Sequence, residues 1–219
     1  MNKIQGGADN NLKPKEDKHI VFISGIPGSG KSTVAKKFEE QGYYLISGDD
    51  VIYTHIIPKV KHMFEGLEHK VFGLYHPNKN LTSVRIARDR FIREVKKLIT
   101  NSKSNKIVIE GAFLHKRLFD KIFENLDYTF YFIKPKNKKE YIKRIGERFE
   151  KQPELYGRMG KLRNLDEDGS ALKDFKKNGI HGKIIQGIIH KVADLQYKKM
   201  KEWSDLYDEW GLKYKIYKN

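Results

Sequence analysis

Cysteine is absent from this 219-residue chain, so it carries no disulfide framework, no thiol nucleophile and no cysteine-ligated zinc. Long apolar runs are missing too: no uncharged stretch approaches the roughly 18–20 residues of a bilayer-spanning helix. Met1–Lys18 has no apolar h-region, so a secretory signal is not expected there and the expected compartment is cytoplasmic. Acidic residues are scarce beside basic ones, 28 against 44, which leaves a formal charge of +16. Hydrophobic residues at 38%, with 12 Phe, 12 Tyr and 2 Trp, are enough to fill a core, which excludes wholesale disorder. The length suits one domain, or one with a small insert.

The positive charge attracts polyanions, of which nucleic acid is the commonest; DNA is expected over RNA, and no membrane partner is expected. The alternative is a lysine-rich composition with solvated lysine faces, as an AT-rich genome produces.

Met1–Lys18 combines Gly-Gly, Asn-Asn and mixed charge, and is expected to be a flexible N-terminal arm (1–18) ahead of one catalytic domain (19–219). His19–Ser24 is a β-branched apolar run that reads as a buried strand, and Lys31–Gln41 has helical spacing through Val34, Ala35 and Phe38. Tyr43–Ser47, Lys106–Glu110 and Tyr128–Ile133 read as further strands, with Lys213–Tyr217 as a fifth. Ser83–Thr100, Leu114–Asn125, Lys136–Lys151 and Lys183–Trp210 read as helices. Val51–Thr82, interrupted by Pro58, Gly66, Gly73 and Pro77, is expected to be an acceptor-binding insert (51–82). Gln152–Gly179 reads as polar and irregular, within a lid region (135–180). Alternating strands and helices predict an α/β fold: a three-layer sandwich around a mostly parallel five-stranded sheet, with a helical lid.

Gly25-Ile26-Pro27-Gly28-Ser29-Gly30-Lys31-Ser32 satisfies G-x-x-x-x-G-K-[ST] between a predicted strand and a predicted helix, the context a P-loop requires. Its glycines let backbone N–H groups turn towards phosphate oxygens, and the helix N-terminus adds partial positive charge. Lys31 can reach the β- and γ-phosphates and Ser32 can hold Mg²⁺. ATP and Mg²⁺ are therefore the expected cofactors. Asp49-Asp50 closes the second predicted strand, eighteen residues after Lys31. In a doubly wound sheet that places both carboxylates beyond the strand ends, beside the γ-phosphate. One can accept a hydroxyl proton while the other orders Mg²⁺ through water; the alternative is a surface turn after Gly48. Glu110, at the end of the third strand, is a further Mg²⁺ candidate, or else an ordinary strand-end acid.

The run Gly25–Thr33, G-x-P-G-S-G-K-S-T, followed by a strand ending in Asp49-Asp50, resembles the P-loop kinases grouped around phage polynucleotide kinase and the zeta toxins. The resemblance covers roughly Ile20–Phe149. It implies a nucleotide site over Gly25, Pro27, Gly28, Ser29, Gly30, Lys31, Ser32 and Thr33, and activation of the acceptor hydroxyl by Asp49. It also implies a lid whose arginines, Arg144 and Arg148, clamp the transferring phosphate. Ile52 stands where polynucleotide kinase has an arginine for the acceptor's phosphate. Ile109–Leu114 (IEGAFL) is similar to 2-phosphoglycerate kinases, and phage kinases of 5-hydroxymethyluracil in DNA are a further resemblance.

Independently of that resemblance, Arg144 and Arg148 lie one helical turn apart on a basic helix, where they could meet the charge dispersed in phosphoryl transfer. Glu140–Arg144 and Glu147–Lys151 could equally be surface pairs at i,i+4. Tyr53, Phe64, Phe72 and Tyr75 alternate with Lys59, Lys61, Lys70 and Lys79, as in single-strand grooves, or else pack the insert onto the sheet. In the following helix Arg85–Asp89, Asp89–Arg93 and Arg90–Glu94 can pair at i,i+4, while Arg88 has no such local partner and is a candidate for acceptor phosphate. His55, His62, His69 and His76 recur every seven residues, but the breakers between them forbid one metal-binding helix face. Asp166-Glu167-Asp168-Gly169 lacks EF-hand spacing and reads as a surface loop.

The expected activity is ATP-dependent transfer of the γ-phosphate to a hydroxyl on nucleic acid, either a polynucleotide 5′-hydroxyl or a hydroxymethylated base in DNA. The alternatives are a nucleotide or small-metabolite kinase (nucleoside monophosphate or 2-phosphoglycerate-like) and a nucleotide-dependent switch. A GTPase switch would need Asn/Thr-Lys-x-Asp, and the nearest match, Asn137-Lys138-Lys139-Glu140, ends in Glu.

Overall fold

Four apolar residues in succession after His19 leave a strand no polar face, and β1 (His19–Ser24) is accordingly buried on both sides. The computed structural model describes residues 18–60, 82–151 and 170–219. In it β1 is joined by β2 (Tyr44–Ser47), β3 (Lys106–Glu110), β4 (Tyr128–Lys134) and β5 (Lys215–Lys218). The strand order is β2-β3-β1-β4-β5 and every pairing is parallel. The chain passes from β1 to the edge strand β2, returns to β3 beside β1 and then crosses to β4 and β5 on the other side, so the topological switch point lies beside β1, where ligands of such sheets collect.

Alternate residues face opposite layers. Ile20, Phe22, Ile107, Ile109, Phe130 and Phe132 meet α4 (Thr82–Asn101) and α5 (Lys116–Phe123) in the larger core. Val21, Ile23, Val108 and Ile133 meet Val34 and Ala35 of α1 (Lys31–Glu40) on the other face. The third cluster joins α6 (Lys138–Lys151) to α8 (Lys183–Glu209) through Tyr141, Ile145, Ile185 and Ile189, and reaches Ile26 in the loop after β1. α6, the helix expected to be the lid, therefore shares a core with the P-loop.

Several boundaries differ from the sequence reading. Asp49 and Asp50 do not end β2. They form, with Gly48, the first turn of a helix, α2 (Gly48–Asp50), whose N-cap Ser47 Oγ accepts the Asp50 N–H at 3.3 Å. A π-helical stretch, Val51–Ile56, and α3 (Ile57–Val60) continue it. Pro58 does not break this run: the ladder has already widened just ahead of it, with the Ile57 N–H reaching Ile52 carbonyl. Val51, Ile52 and Ile56 are buried in the main core, so this part of the expected insert is structural. Lys136 and Asn137 stay outside α6; Asn137 caps it by accepting the Glu140 N–H, and the Lys136 N–H goes to the Asn219 carbonyl. Residues expected to be irregular form α7 (Ser170–Asn178) and a 3₁₀ turn (Gly179–His181), held by Asp174, whose carboxylate accepts the N–H groups of Ile184 and Ile185 at the start of α8. Residues 1–17 of the expected arm (1–18) lie outside the described residues, and Lys18 Nζ donates to the Ser102 carbonyl at 2.9 Å.

Candidate active site

The loop between β1 and α1 turns on Gly28 and Gly30, whose φ angles of 80° and 96° only glycine adopts without strain. Three of its carbonyls are occupied, one from within the motif and two from α6. Ile26 carbonyl accepts from the Ser29 N–H at 3.1 Å and from Lys31 Nζ at 3.3 Å. Pro27 carbonyl accepts from the Tyr141 hydroxyl at 2.6 Å, and Ser29 carbonyl from Arg144 at 3.3 Å. With these carbonyls occupied, the loop is free to turn N–H groups to its inner side. Ser29 Oγ is buried with no hydrogen-bond partner among the described residues, as a donor kept for a phosphate oxygen would be.

Gly25 is constrained by packing. A Cβ there would sit 2.6 Å from Ile133 carbonyl oxygen, a backbone atom of β4 that cannot swing away. Gly25→Ala should therefore destabilise the protein by about 1–3 kcal/mol, the usual range for overpacking. Gly187 lies exposed in α8 with open space around its Cα, and Gly187→Ala should stabilise by about 0.5–1 kcal/mol. Urea unfolding of the two variants checks the opposite signs.

Strand register brings the acidic residues to the loop. Ile23 of β1 and Ser47 of β2 both pair with Glu110 of β3, so the carboxyl ends of three strands finish level. Glu110 is 8% exposed and its Oε2 accepts from Ser32 Oγ at 3.1 Å. Burial pushes its carboxyl above the ordinary value against the pull of Lys31, and the charges of Asp49 and Asp50 push it further. Lys31 is held below its ordinary value by burial, while Glu110 and Asp49 oppose that and Arg148 adds to it. Asp49 and Asp50 are exposed; Asp49 acts on both Lys31 and Glu110, and Asp50 acts on Glu110. The expected set Lys31, Ser32, Asp49, Asp50 and Glu110 thus converges on one edge. A hydroxyl against a buried carboxylate, with further acids near, fits Mg²⁺, which takes one or two protein ligands and completes its shell with water and phosphate.

The two arginines expected in a lid divide. Arg144 makes the i,i+4 pair with Glu140, Nε to Oε1 at 3.2 Å, and also holds the loop at Ser29. Arg148 is exposed, and its charge reaches Lys31 and the Tyr141 hydroxyl. Sequence reasoning missed Tyr141, although it sits one turn before Arg144 on the same helix. It also missed Asn219, whose side chain occupies the space beside Gly30, next to Arg144. Nothing local in the sequence points to that contact.

Arg88 does not project from an open helix face. It is 7% exposed, in the wall of a cavity between α4 and α5. Its neighbours also choose distant partners over local ones: Asp89 pairs with Arg117 at 3.2 Å and Glu94 with Lys59 at 3.1 Å. Ile52 is buried at 1% exposure, and of the four expected insert aromatics Tyr53 is exposed at 45%. Phe64, Phe72, Tyr75, Lys61, Lys70, Lys79, His62, His69, His76 and the Asp166–Gly169 run lie outside the described residues. Among the described residues, no group of three or more His, Asp and Glu forms a metal cluster, and no helix is long and apolar enough to cross a membrane.

A parallel sheet with a P-loop at its switch point, acids level with it and α6 packed on it defines a P-loop phosphotransferase, a nucleotide-using kinase. The zeta toxin family model matches residues 5–174, more than half of the chain, and the chain belongs to that family. No curated protein matches it. Among solved structures it is similar to TT1252 from Thermus thermophilus, at 20% identity over 60% of this chain and 72% of that one, with a TM-score of 0.46. It is also similar to a gluconokinase from Sinorhizobium meliloti, at 18% identity over 85% of this chain and 99% of that one, with a TM-score of 0.39.

Proposed function

We propose that the protein transfers the γ-phosphate of ATP, with Mg²⁺, to a hydroxyl on nucleic acid, either a polynucleotide 5′-hydroxyl or a hydroxymethylated base in DNA. The observation that carries the kinase chemistry is the convergence of Lys31, Ser32, Asp49 and Glu110 at the level ends of β1, β2 and β3. Asp49 takes the proton of the acceptor hydroxyl as its oxygen attacks the γ-phosphorus. Lys31 leaves Ile26 carbonyl for the phosphates, and Arg148 closes from α6 over the charge spread on the equatorial oxygens. Ser32, Glu110 and, through water, Asp50 would hold Mg²⁺, which neutralises the phosphate charge when bound.

The nucleic-acid acceptor is supported by the +16 charge. An acceptor base within a duplex would have to be flipped out, at a cost of roughly a few kcal/mol. A second reading, a small-metabolite kinase, is favoured by the modest volume of the cavity beside Arg88, about 270 Å³. Label from γ-labelled ATP offered to 5′-hydroxyl DNA and RNA, 5-hydroxymethyluracil DNA, nucleoside monophosphates and 2-phosphoglycerate separates the two. Label on a polymer is the expected result; label confined to a small acceptor overturns the nucleic-acid reading and leaves the chemistry standing.

A further inference from the structure

Tyr141 and Ile145 stand one turn apart near the start of α6, so a single face of the helix presents both. That face lies against the P-loop: a Cβ at Gly28 would come within 2.8 Å of Ile145 Cδ1 and 3.2 Å of the Tyr141 ring. Tyr141 is fully buried, in one cluster with Ile26 of the loop and with Ile185 and Ile189 of α8. Phenylalanine would serve that packing as well. A buried hydroxyl costs free energy unless it finds a partner, and here the partner is the Pro27 carbonyl at 2.6 Å. Burial pushes the hydroxyl above its ordinary value, so it stays protonated and remains a donor.

That hydrogen bond has a consequence on the other side of the loop. Pro27 C=O and Gly28 N–H belong to one planar trans peptide, in which the two groups point in opposite directions. A carbonyl fixed towards α6 therefore turns the Gly28 N–H away from α6, to the inner side of the loop, where such motifs hold phosphate. Among the described residues no backbone acceptor takes that N–H. Two residues on, Arg144 holds the Ser29 carbonyl at 3.3 Å and turns the Gly30 N–H in the same sense.

We propose that Tyr141 is a positioning residue of the nucleotide site: its hydroxyl sets the plane of the Pro27–Gly28 peptide and so aims the Gly28 N–H at a phosphate oxygen of the nucleotide. This deepens the kinase reading and rests on it. A peptide left without that brace would have to be turned and ordered at each binding event, so the hydroxyl contributes affinity through preorganisation, without touching the nucleotide.

Pro27-Gly28 is the one Pro-Gly pair in the sequence, so ¹³C-carbonyl proline with ¹⁵N-glycine marks a single peptide bond of the full chain. In the wild type, Mg·ADP should move the Gly28 amide proton downfield, as a new hydrogen bond to a charged oxygen does. In Tyr141→Phe the Pro27 ¹³C resonance should move upfield before any nucleotide is added, and the Gly28 shift on adding Mg·ADP should shrink. The dissociation constant of Mg·ADP should rise about 3–10-fold, the equivalent of one hydrogen bond. Ile185→Val, which thins the same cluster and leaves the hydroxyl in place, should bind Mg·ADP as the wild type does. An unchanged dissociation constant in Tyr141→Phe, or an equal loss in Ile185→Val, overturns the assignment. If Tyr141→Phe misfolds, the wild type still tests it: a Gly28 amide that stays in place at saturating Mg·ADP overturns it as well. Wild-type protein that does not bind Mg·ADP overturns the kinase reading and this assignment with it, whereas binding that ignores the hydroxyl overturns this assignment alone.

Discussion

Asp49→Asn should lower phosphoryl transfer by about 10²–10⁴-fold, the range supplied by a positioned general base, while ATP affinity stays within about twofold. Asparagine keeps the shape and loses the proton acceptor. Two adjacent acids could do this work, and the structure separates them. Asp50 donates its N–H to Ser47 in the helix cap and acts on Glu110; Asp49 acts on Lys31 as well, the group proposed to meet the transferring phosphate. The check is single-turnover transfer from γ-labelled ATP alongside fluorescent-nucleotide binding, with Asp50→Asn in parallel. Near-normal turnover by Asp49→Asn removes it from the role.

Glu110→Gln should move activity and stability in opposite directions. The amide can still accept from Ser32 but cannot neutralise Mg²⁺, so transfer should fall by about 10²-fold or more and need higher Mg²⁺. In the nucleotide-free protein the buried carboxylate carries a net penalty, because its folded pKa lies above its ordinary value of 4.5. The folded state then binds more protons than the unfolded one. Stability therefore declines as pH rises from about the unfolded value through the folded one. The variant escapes this decline. At pH 8 its Tm should exceed the wild type by ~2–4 °C, about 1 kcal/mol in a chain of this size, and the two should converge near pH 4. Thermal unfolding at both pH values decides it: a lower Tm for the variant at pH 8 would mean that the contacts with Lys31 and Ser32 outweigh the burial.

The parts legible in the sequence were those fixed by short-range pattern. β1 and β3 each run one polar residue beyond an unbroken apolar stretch, Ile20–Ile23 and Ile107–Ile109, because strands buried on both faces tolerate no polar interruption within them. The P-loop was readable because glycines at fixed offsets have few other uses. The Asp pair was assigned to the wrong element, since Tyr43–Ser47 reads as strand up to Gly48, while the capping hydroxyl of Ser47 that starts the helix is equally plausible within a strand. Contacts across the fold left no local trace. Spacing showed that Arg88 has no i,i+4 partner but not that it would be buried between α4 and α5, and the i,i+4 spacing of Arg85, Asp89 and Arg93 concealed that Asp89 would choose Arg117. Asn219 beside Gly30 follows only from the parallel pairing of β4 with β5, which places the far end of the chain over the loop.

That placement bears on the order in which the protein becomes competent. Ser24, the last residue before the loop, shares a 2.8 Å hydrogen bond with the Tyr207 hydroxyl, 183 positions later, and the Lys136 N–H waits for Asn219 carbonyl. A ribosome adding ~5–20 residues per second takes roughly 10–40 s to travel from the first of these partners to the last. Throughout that interval the emerging chain holds every glycine of its loop but not the buttress that fixes it. Contacts of such separation also form late in refolding. The nucleotide site therefore lacks part of its buttress until the segment from Tyr207 to Asn219 has been made.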